Sequence, residues 1–309
     1  MTRNIRATLA LVTGLAIAPL APAQSFRAYL ASYGNDANVG CTVSAPCRLL
    51  PAALNAVLNG GEVWILDSAN FNQSAVSITK DVSILAVPGQ VGSLASVASG
   101  PAIFVNGAYK VRLRNVVIAN NANNPGTHGI VLNSGANLAI EDSLISVVQR
   151  GIYATASTAS IYRTTFREGT SGVYLTSGST GDVTESRFVH QSDYSIYVDA
   201  SGSSTPSVAT VTNCSVADGW GGVRASNQSG VASGTAQASV MGSSFSNLVY
   251  GVVAVGGTGQ TIRIAVGNSH FSQIQQLALY PLGGGVVETL GNNLGRQIGG
   301  SSATTVPGI

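Results

Sequence analysis

Three columns of aliphatic and aromatic residues recur along this chain at a shared, irregular interval, and they narrow the possible folds more than any other feature. The first is Ile103, Ile130, Ile152, Val173, Ile196, Val223 and Val252, in most cases preceded by glycine. The second is Leu113, Ile140, Ile161, Val183, Val211, Val240 and Val266, with steps of 27, 21, 22, 28, 29 and 26 residues by subtraction. The third is Ile118, Ile145, Phe166, Phe188, Val216, Phe245 and Phe271, five residues beyond the second and repeating its steps.

Inside each short run the apolar residues alternate with polar ones, and Gly, Ser and Asn separate the runs. That period belongs to strands rather than helices. A repeat of roughly 20 to 30 residues made of such runs points to a solenoid. The leucine-rich framework is missing, and so are the length and the dipeptide of propeller blades. Stacking each coil on the next buries all three columns in one core, with equivalent positions about 4.8 Å apart. The fold expected is an all-β solenoid.

Two further ladders follow from this register. Ser143, Thr164, Ser186, Cys214, Ser243 and Ser269 form a small-residue ladder, and Asn115, Asp142, Arg163, Glu185, Asn213 and Asn268 its polar neighbour. Asp142, Arg163 and Glu185 alternate in sign on consecutive coils, which predicts a cross-strand ion ladder. An open stack exposes its end strands and needs caps. Leu49, Leu50, Ala53, Leu54, Val57 and Leu58 fall at helical spacing between Pro46 and Gly60-Gly61, predicting a short N-terminal capping helix, with strands starting at Glu62–Leu66 and Ala75–Ala86. The expected organisation is a leader over 1–23, a cap and first coils over 24–99, coils over 100–298, and a disordered tail over 299–309.

The leader is read from Arg3 and Arg6, the apolar run Ala7 to Leu20, and the small-x-small site Ala21-Pro22-Ala23. This pattern of a secretory signal peptide predicts an exported protein, periplasmic, extracellular or at the cell surface. Charged residues are only 9% of the chain and the net charge is +2, so no basic footprint points to nucleic acid and no amphipathic stretch to membrane insertion. Cys41 and Cys47 lie close together in one loop and are expected to be bonded in an oxidising compartment. Cys214 falls in the small-residue ladder, where a free thiol behaves as a small hydrophobe. His128, His190 and His270 sit at different places in their coils, so neither a shared metal site nor a cofactor is expected, and each is read as a turn residue.

The segment Tyr33-Gly34-Asn35-Asp36-Ala37-Asn38, the Cys41 and Ala45-Pro46-Cys47 pair, Gly60-Gly61-Glu62 and Val76-Ser77-Ile78-Thr79-Lys80 resemble the N-terminal part of exported bacterial right-handed parallel β-helix repeat proteins. That group belongs with the pectin-lyase-like superfamily. The resemblance covers nearly the whole mature chain and implies a right-handed parallel β-helix more than an activity. Related enzymes act on acidic polysaccharides in a groove outside the coils. The Asn-Thr-Asp, Asp-Asp, Gly-His-Gly and Arg-Ile-Lys motifs of the polygalacturonases do not occur here, and no acidic cluster suggests a calcium-assisted lyase.

Outward positions are the remaining source of function. The residue after each first-column anchor is Phe104, Val131, Tyr153, Tyr174, Tyr197, Arg224 or Val253, and the next outward column is Asn106, Asn133, Thr155, Thr176, Asp199, Ser226 and Val255. Tyr153, Tyr174 and Tyr197, flanked by Asp199 and Arg224, are expected to form an aromatic strip suited to polysaccharide. The intervals from Ile196 to Val211, Val223 to Val240 and Val252 to Val266, of 15, 17 and 14 residues, could wall the strip or cover it. Three readings follow: a carbohydrate-interacting β-helix; a polysaccharide lyase or epimerase with Arg224 or Tyr197 as base and Asp199 assisting; and a structural or adhesive surface module.

Overall fold

In a computed structural model the chain is described over residues 24–97, 100–120, 128–227 and 234–305. The segment read as a signal peptide lies outside the described residues. Strands pair in parallel throughout, in a twelve-stranded sheet and a seventeen-stranded sheet that wind as one β-helix.

Each column pairs in the register that its spacing predicts. Leu113, Ile140, Ile161, Val183, Val211, Val240 and Val266 are successive partners in the twelve-stranded sheet. Ile103 to Val252 and Ile118 to Phe271 form the other two columns, both in the larger sheet. These two join because strands Ser215–Ser226 and Ser244–Gly256 run without a break from the third column into the next coil's first. The strand Thr158–Tyr162 shows the local rule, with Ala159 and Ile161 buried while Ser160 and Tyr162 face out.

Aromatic stacking reinforces the third column. Phe166 and Phe188 lie 4.8 Å apart and Phe245 and Phe271 4.9 Å, with rings nearly parallel. This explains the glycine before most first-column anchors: a Cβ on Gly172 would stand 2.4 Å from the Phe188 ring, and one on Gly222 2.5 Å from Phe245. The core phenylalanines occupy the space that a side chain would need.

The polar ladder marks the corner between the second and third strands. Asn115, Asp142, Arg163, Glu185, Asn213 and Asn268 all have φ between 42° and 54°, and Gly242 occupies the same corner in the one coil missing from the sequence pattern. Asn and Asp visit this left-handed region at low cost, whereas Arg163 and Glu185 are held there by the coils. The ion ladder is corrected to one half. Arg163 donates to both Asp142 oxygens at 2.7 and 3.0 Å, lowering the pKa of that carboxyl, while among the described residues Glu185 makes no ion pair.

One residue on, the small-residue ladder is a chain of hydroxyls. Ser143, Thr164, Ser186, Ser243 and Ser269 each donate to the carbonyl two residues back, and Ser143, Ser186, Ser243 and Ser269 also accept an N–H from the previous coil. Cys214 takes one such place, its Sγ against the carbonyls of Thr212 and Val183 at 3.4 Å. Burial pushes the Cys214 thiol up to about 11. Alkylation of native protein at pH 8 should therefore leave Cys214 unmodified until denaturant opens the coils, and rapid labelling read by mass spectrometry would contradict this burial.

The N-terminal cap differs in detail from expectation. The helix covers only Leu50–Ala56, with Leu50, Ala53 and Leu54 buried, and Val57 and Leu58 belong to the strand Val57–Ile65. Lys80 ends the helix by donating to the carbonyls of Leu54 and Val57 at 2.8 and 2.7 Å. The strand Ser25–Leu30, which the sequence pattern does not reveal, pairs with Val57–Ile65 and closes that edge. Cys41 and Cys47 form a disulfide beside it, and their own carbonyls accept from the N–H groups of Tyr29 and Ala31. The tail read as disordered continues the last coil as far as it is described: Gly299 N–H bonds Ile274, and Thr304–Thr305 pair with Glu288 and Thr289.

Candidate functional site

Period-two alternation turns Tyr153, Tyr174 and Tyr197 to the outer face of the larger sheet, and parallel register places them on adjacent coils. Ring centroids are 5.6 Å apart for Tyr153 and Tyr174, tilted, and 4.7 Å for Tyr174 and Tyr197, stacked. Arg224 follows in register, and its guanidinium lies 5.2 Å from the Tyr197 ring. Asp199, in the next outward column, accepts from the Tyr174 hydroxyl at 2.8 Å and from the Ser201 amide and hydroxyl at 3.1 and 2.6 Å.

The five residues are together, but the centre of the strip is covered. Tyr197 is 1% exposed, Asp199 4% and Tyr174 7%, whereas Tyr153 and Arg224 are partly open. Tyr174 and Tyr197 form, with Tyr194 and Val253, a second, smaller hydrophobic cluster outside the main core, with Tyr153 packed against it. Burial and then the Asp199 carboxylate raise the Tyr174 pKa, and burial raises that of Tyr197, whose hydroxyl shares a 2.8 Å hydrogen bond with Ser226. Neither phenol is placed to take a proton from a ligand at neutral pH.

A second contributing column was missed, at a fixed offset two residues before each anchor. It contains His128, Arg150, Tyr194 and Tyr250. Arg150 lies 4.8 Å from the Tyr153 ring and 4.1 Å from that of Tyr174. Tyr194 meets Tyr197 edge-on at 6.3 Å, and His128 packs on Tyr153 at 5.2 Å. The offset was readable, but small residues between the two columns hid that both reach the same face. Burial, then the charge of Arg150, brings the His128 pKa down to about 4, so the ring is neutral at pH 7. His128 is thus part of the tyrosine face, and His270 lies in the strand His270–Ile274; only His190 has a turn backbone, with φ 54°. At the far margin Trp220, 45% exposed, meets Tyr250 at 5.9 Å, and Tyr250 stacks on Tyr280 at 5.8 Å. Among the described residues, His128 Nδ1 and Arg224 Nε are buried atoms without a hydrogen-bond partner.

The twelve-stranded sheet carries a different surface. A groove of about 570 Å³ crosses its outer face over residues including Arg112, Arg114, Glu141, Tyr162 and Asp182. Among the described residues no cluster of His, Cys, Asp or Glu could hold a metal ion, and no helix is long and apolar enough to cross a membrane.

The sequence profile of the right handed beta helix region matches residues 101–271. Among solved structures, a pectate lyase is similar at 14% identity and TM-score 0.49, covering 92% of this chain and 78% of that one. A rhamnogalacturonan lyase gives 12% and 0.47, covering 85% and 72%. A pectin methylesterase in complex with a hexasaccharide gives 11% and 0.43, covering 92% and 94%. No curated protein sequence matches.

Proposed function

This chain belongs to the right-handed beta-helix family, and on that premise we propose that it is an exported carbohydrate-interacting protein that holds glycan at the margins of its tyrosine face. The carrying observation is the contrast between a packed centre and an open rim. Tyr153, Trp220 and Tyr250 are at least partly accessible, and so is the cationic side chain of Arg224. Aromatic faces beside such polar groups suit sugar rings, which present C–H patches and hydroxyls. Tyr174, Tyr197 and Asp199 act as the rigid support behind the rim. The Cys41–Cys47 disulfide suits an exported protein.

Burial of Tyr197 and Asp199 favours, as a second reading, a structural or adhesive module in which the strip only packs loops against the coils. The lyase or epimerase reading is less well supported, because the phenol named as base is buried and hydrogen-bonded. Glycan-array screening followed by calorimetry separates these readings. Tyr153→Ala should weaken a captured glycan by about 0.5–1.5 kcal/mol, or roughly two- to twelve-fold, with little change in melting temperature. Glycan affinity unchanged in Tyr153→Ala, or no glycan bound at all, would leave the structural module as the better account.

A further inference from the structure

His128 and Arg150 stand two residues before Ile130 and Ile152, which pair on adjacent coils, and the Gly129 amide donates to the Arg150 carbonyl at 2.9 Å. Their side chains therefore start from facing positions about 4.8 Å apart. They also meet the same ring. His128 lies 5.2 Å from the centroid of Tyr153, and the Arg150 guanidinium lies 4.8 Å from it and 4.1 Å from that of Tyr174. A permanent cation thus shares an aromatic partner with a group whose charge depends on pH.

The surroundings hold no anion to offset a second positive charge. On the preceding coil Pro101 takes the position facing His128, and Phe104 begins the outward column that leads to Tyr153. On the coils that follow, Arg150, Tyr153, Ser171 and Tyr174 take the corresponding places. The acids of the face, Asp193 and Asp199, belong to the coil of Tyr197, three beyond His128, where Asp199 is held by Tyr174 and Ser201. Residues 121–127, immediately before His128, contain no titratable side chain. Both ring nitrogens of an imidazolium carry a proton, yet Nδ1 of His128 is buried without an acceptor among the described residues. Burial first, and then the charge of Arg150, hold the ring at a pKa of about 4, so this packing is built for the neutral form.

We propose that protonation of His128 opposite Arg150 unlatches the Tyr153 end of the tyrosine face, which is closed at neutral pH and opens in acid. The inference concerns packing alone and holds whether or not the rim binds glycan. Its direction follows from proton linkage. The folded-state value lies below the ordinary 6.5, so the stability supplied by the neutral ring is complete above about pH 6.5 and is lost as the pH falls toward 4. The opening is local, because Tyr174 and Tyr197 behind Tyr153 are buried and stacked on each other.

The first test is an NMR titration of the histidine ring protons in the unaltered chain. The His128 signal, identified by its contact with the Tyr153 ring, should titrate well below the ordinary histidine range, and the Tyr153 ring signals should move with it. Arg150→Gln removes the facing charge and should shift that titration upward. Melting is then followed from pH 7 to pH 4 in the wild type and in His128→Gln, whose side chain stays neutral. Over that range the wild type should lose roughly tenfold in its folding constant relative to the variant, less than the full pKa shift would give because the ring is partly open to solvent. A His128 signal in the ordinary range, Tyr153 signals that ignore it, or an unshifted titration in Arg150→Gln overturns the proposal. So do matching pH profiles of melting in the wild type and His128→Gln. The titration of the unaltered chain decides the matter even where a variant fails to fold.

Discussion

Replacing Ile161 with aspartate is expected to abolish the folded state, the largest effect of any single substitution considered for this chain. Ile161 is buried in the middle of the second column, with Ile140 on one side and Val183 on the other. Among the described residues no cation lines that interior column, so a carboxylate there would lack a partner. Burying an unpaired charge costs several kcal/mol even after relaxation, comparable to the whole stability of many domains. The loss of β circular dichroism, or insoluble expression, is the expected readout. Ile161→Val, which keeps the shape and removes one methylene, should cost only about 0.5–1.5 kcal/mol. A soluble Ile161→Asp protein melting with the wild type would show that the column is not the core.

The sequence alone singles out that position, because what defines the coils is short-range and repeated. The same six steps separating Leu113 to Val266 and Ile118 to Phe271 fix strand, corner and strand in each coil. Side-chain period two then assigns inside and outside. What the pattern could not carry were features set by space rather than period. Asn115 and its equivalents read as a polar ladder carrying ion pairs, whereas they turn the chain through positive φ. Val57 and Leu58 fit a helical period, yet they open the strand Val57–Ile65, with Val57 in register with Ser25. Local propensity yields to tertiary hydrogen bonding at such boundaries.

The candidate site divides along the same line. Register was enough to place Tyr153, Tyr174 and Tyr197 in contact, but exposure depends on what lies over a face, which no column encodes. The residues that fill the strip from its flank, His128, Arg150 and Tyr194, were visible as an offset, and only their packing brings them against the tyrosine rings. Chemistry changes with that packing. A tyrosine counted as a proton acceptor from sequence becomes, once buried, a group whose phenolate form is disfavoured.

Tyr197→Ala should therefore act on stability before it acts on binding. Its ring is 1% exposed, stacked on Tyr174 at 4.7 Å and met edge-on by Tyr194. Truncating a buried aromatic costs about 3–5 kcal/mol, and the melting temperature should drop on the order of 10 °C. Tyr197→Phe keeps the stack and loses the hydrogen bond to Ser226, so it should cost about 1 kcal/mol. Tyr153→Ala, on the half-open end of the same ladder, should be milder than Tyr197→Ala in melting and more severe in glycan binding. The order of the variants carries the test, since a uniformly exposed strip would give small, similar melting shifts for Tyr153→Ala and Tyr197→Ala and comparable losses of binding. A melting temperature for Tyr197→Ala within about 1 °C of wild type would contradict the packed centre, and the support assigned to Tyr197 behind the rim would have to be withdrawn.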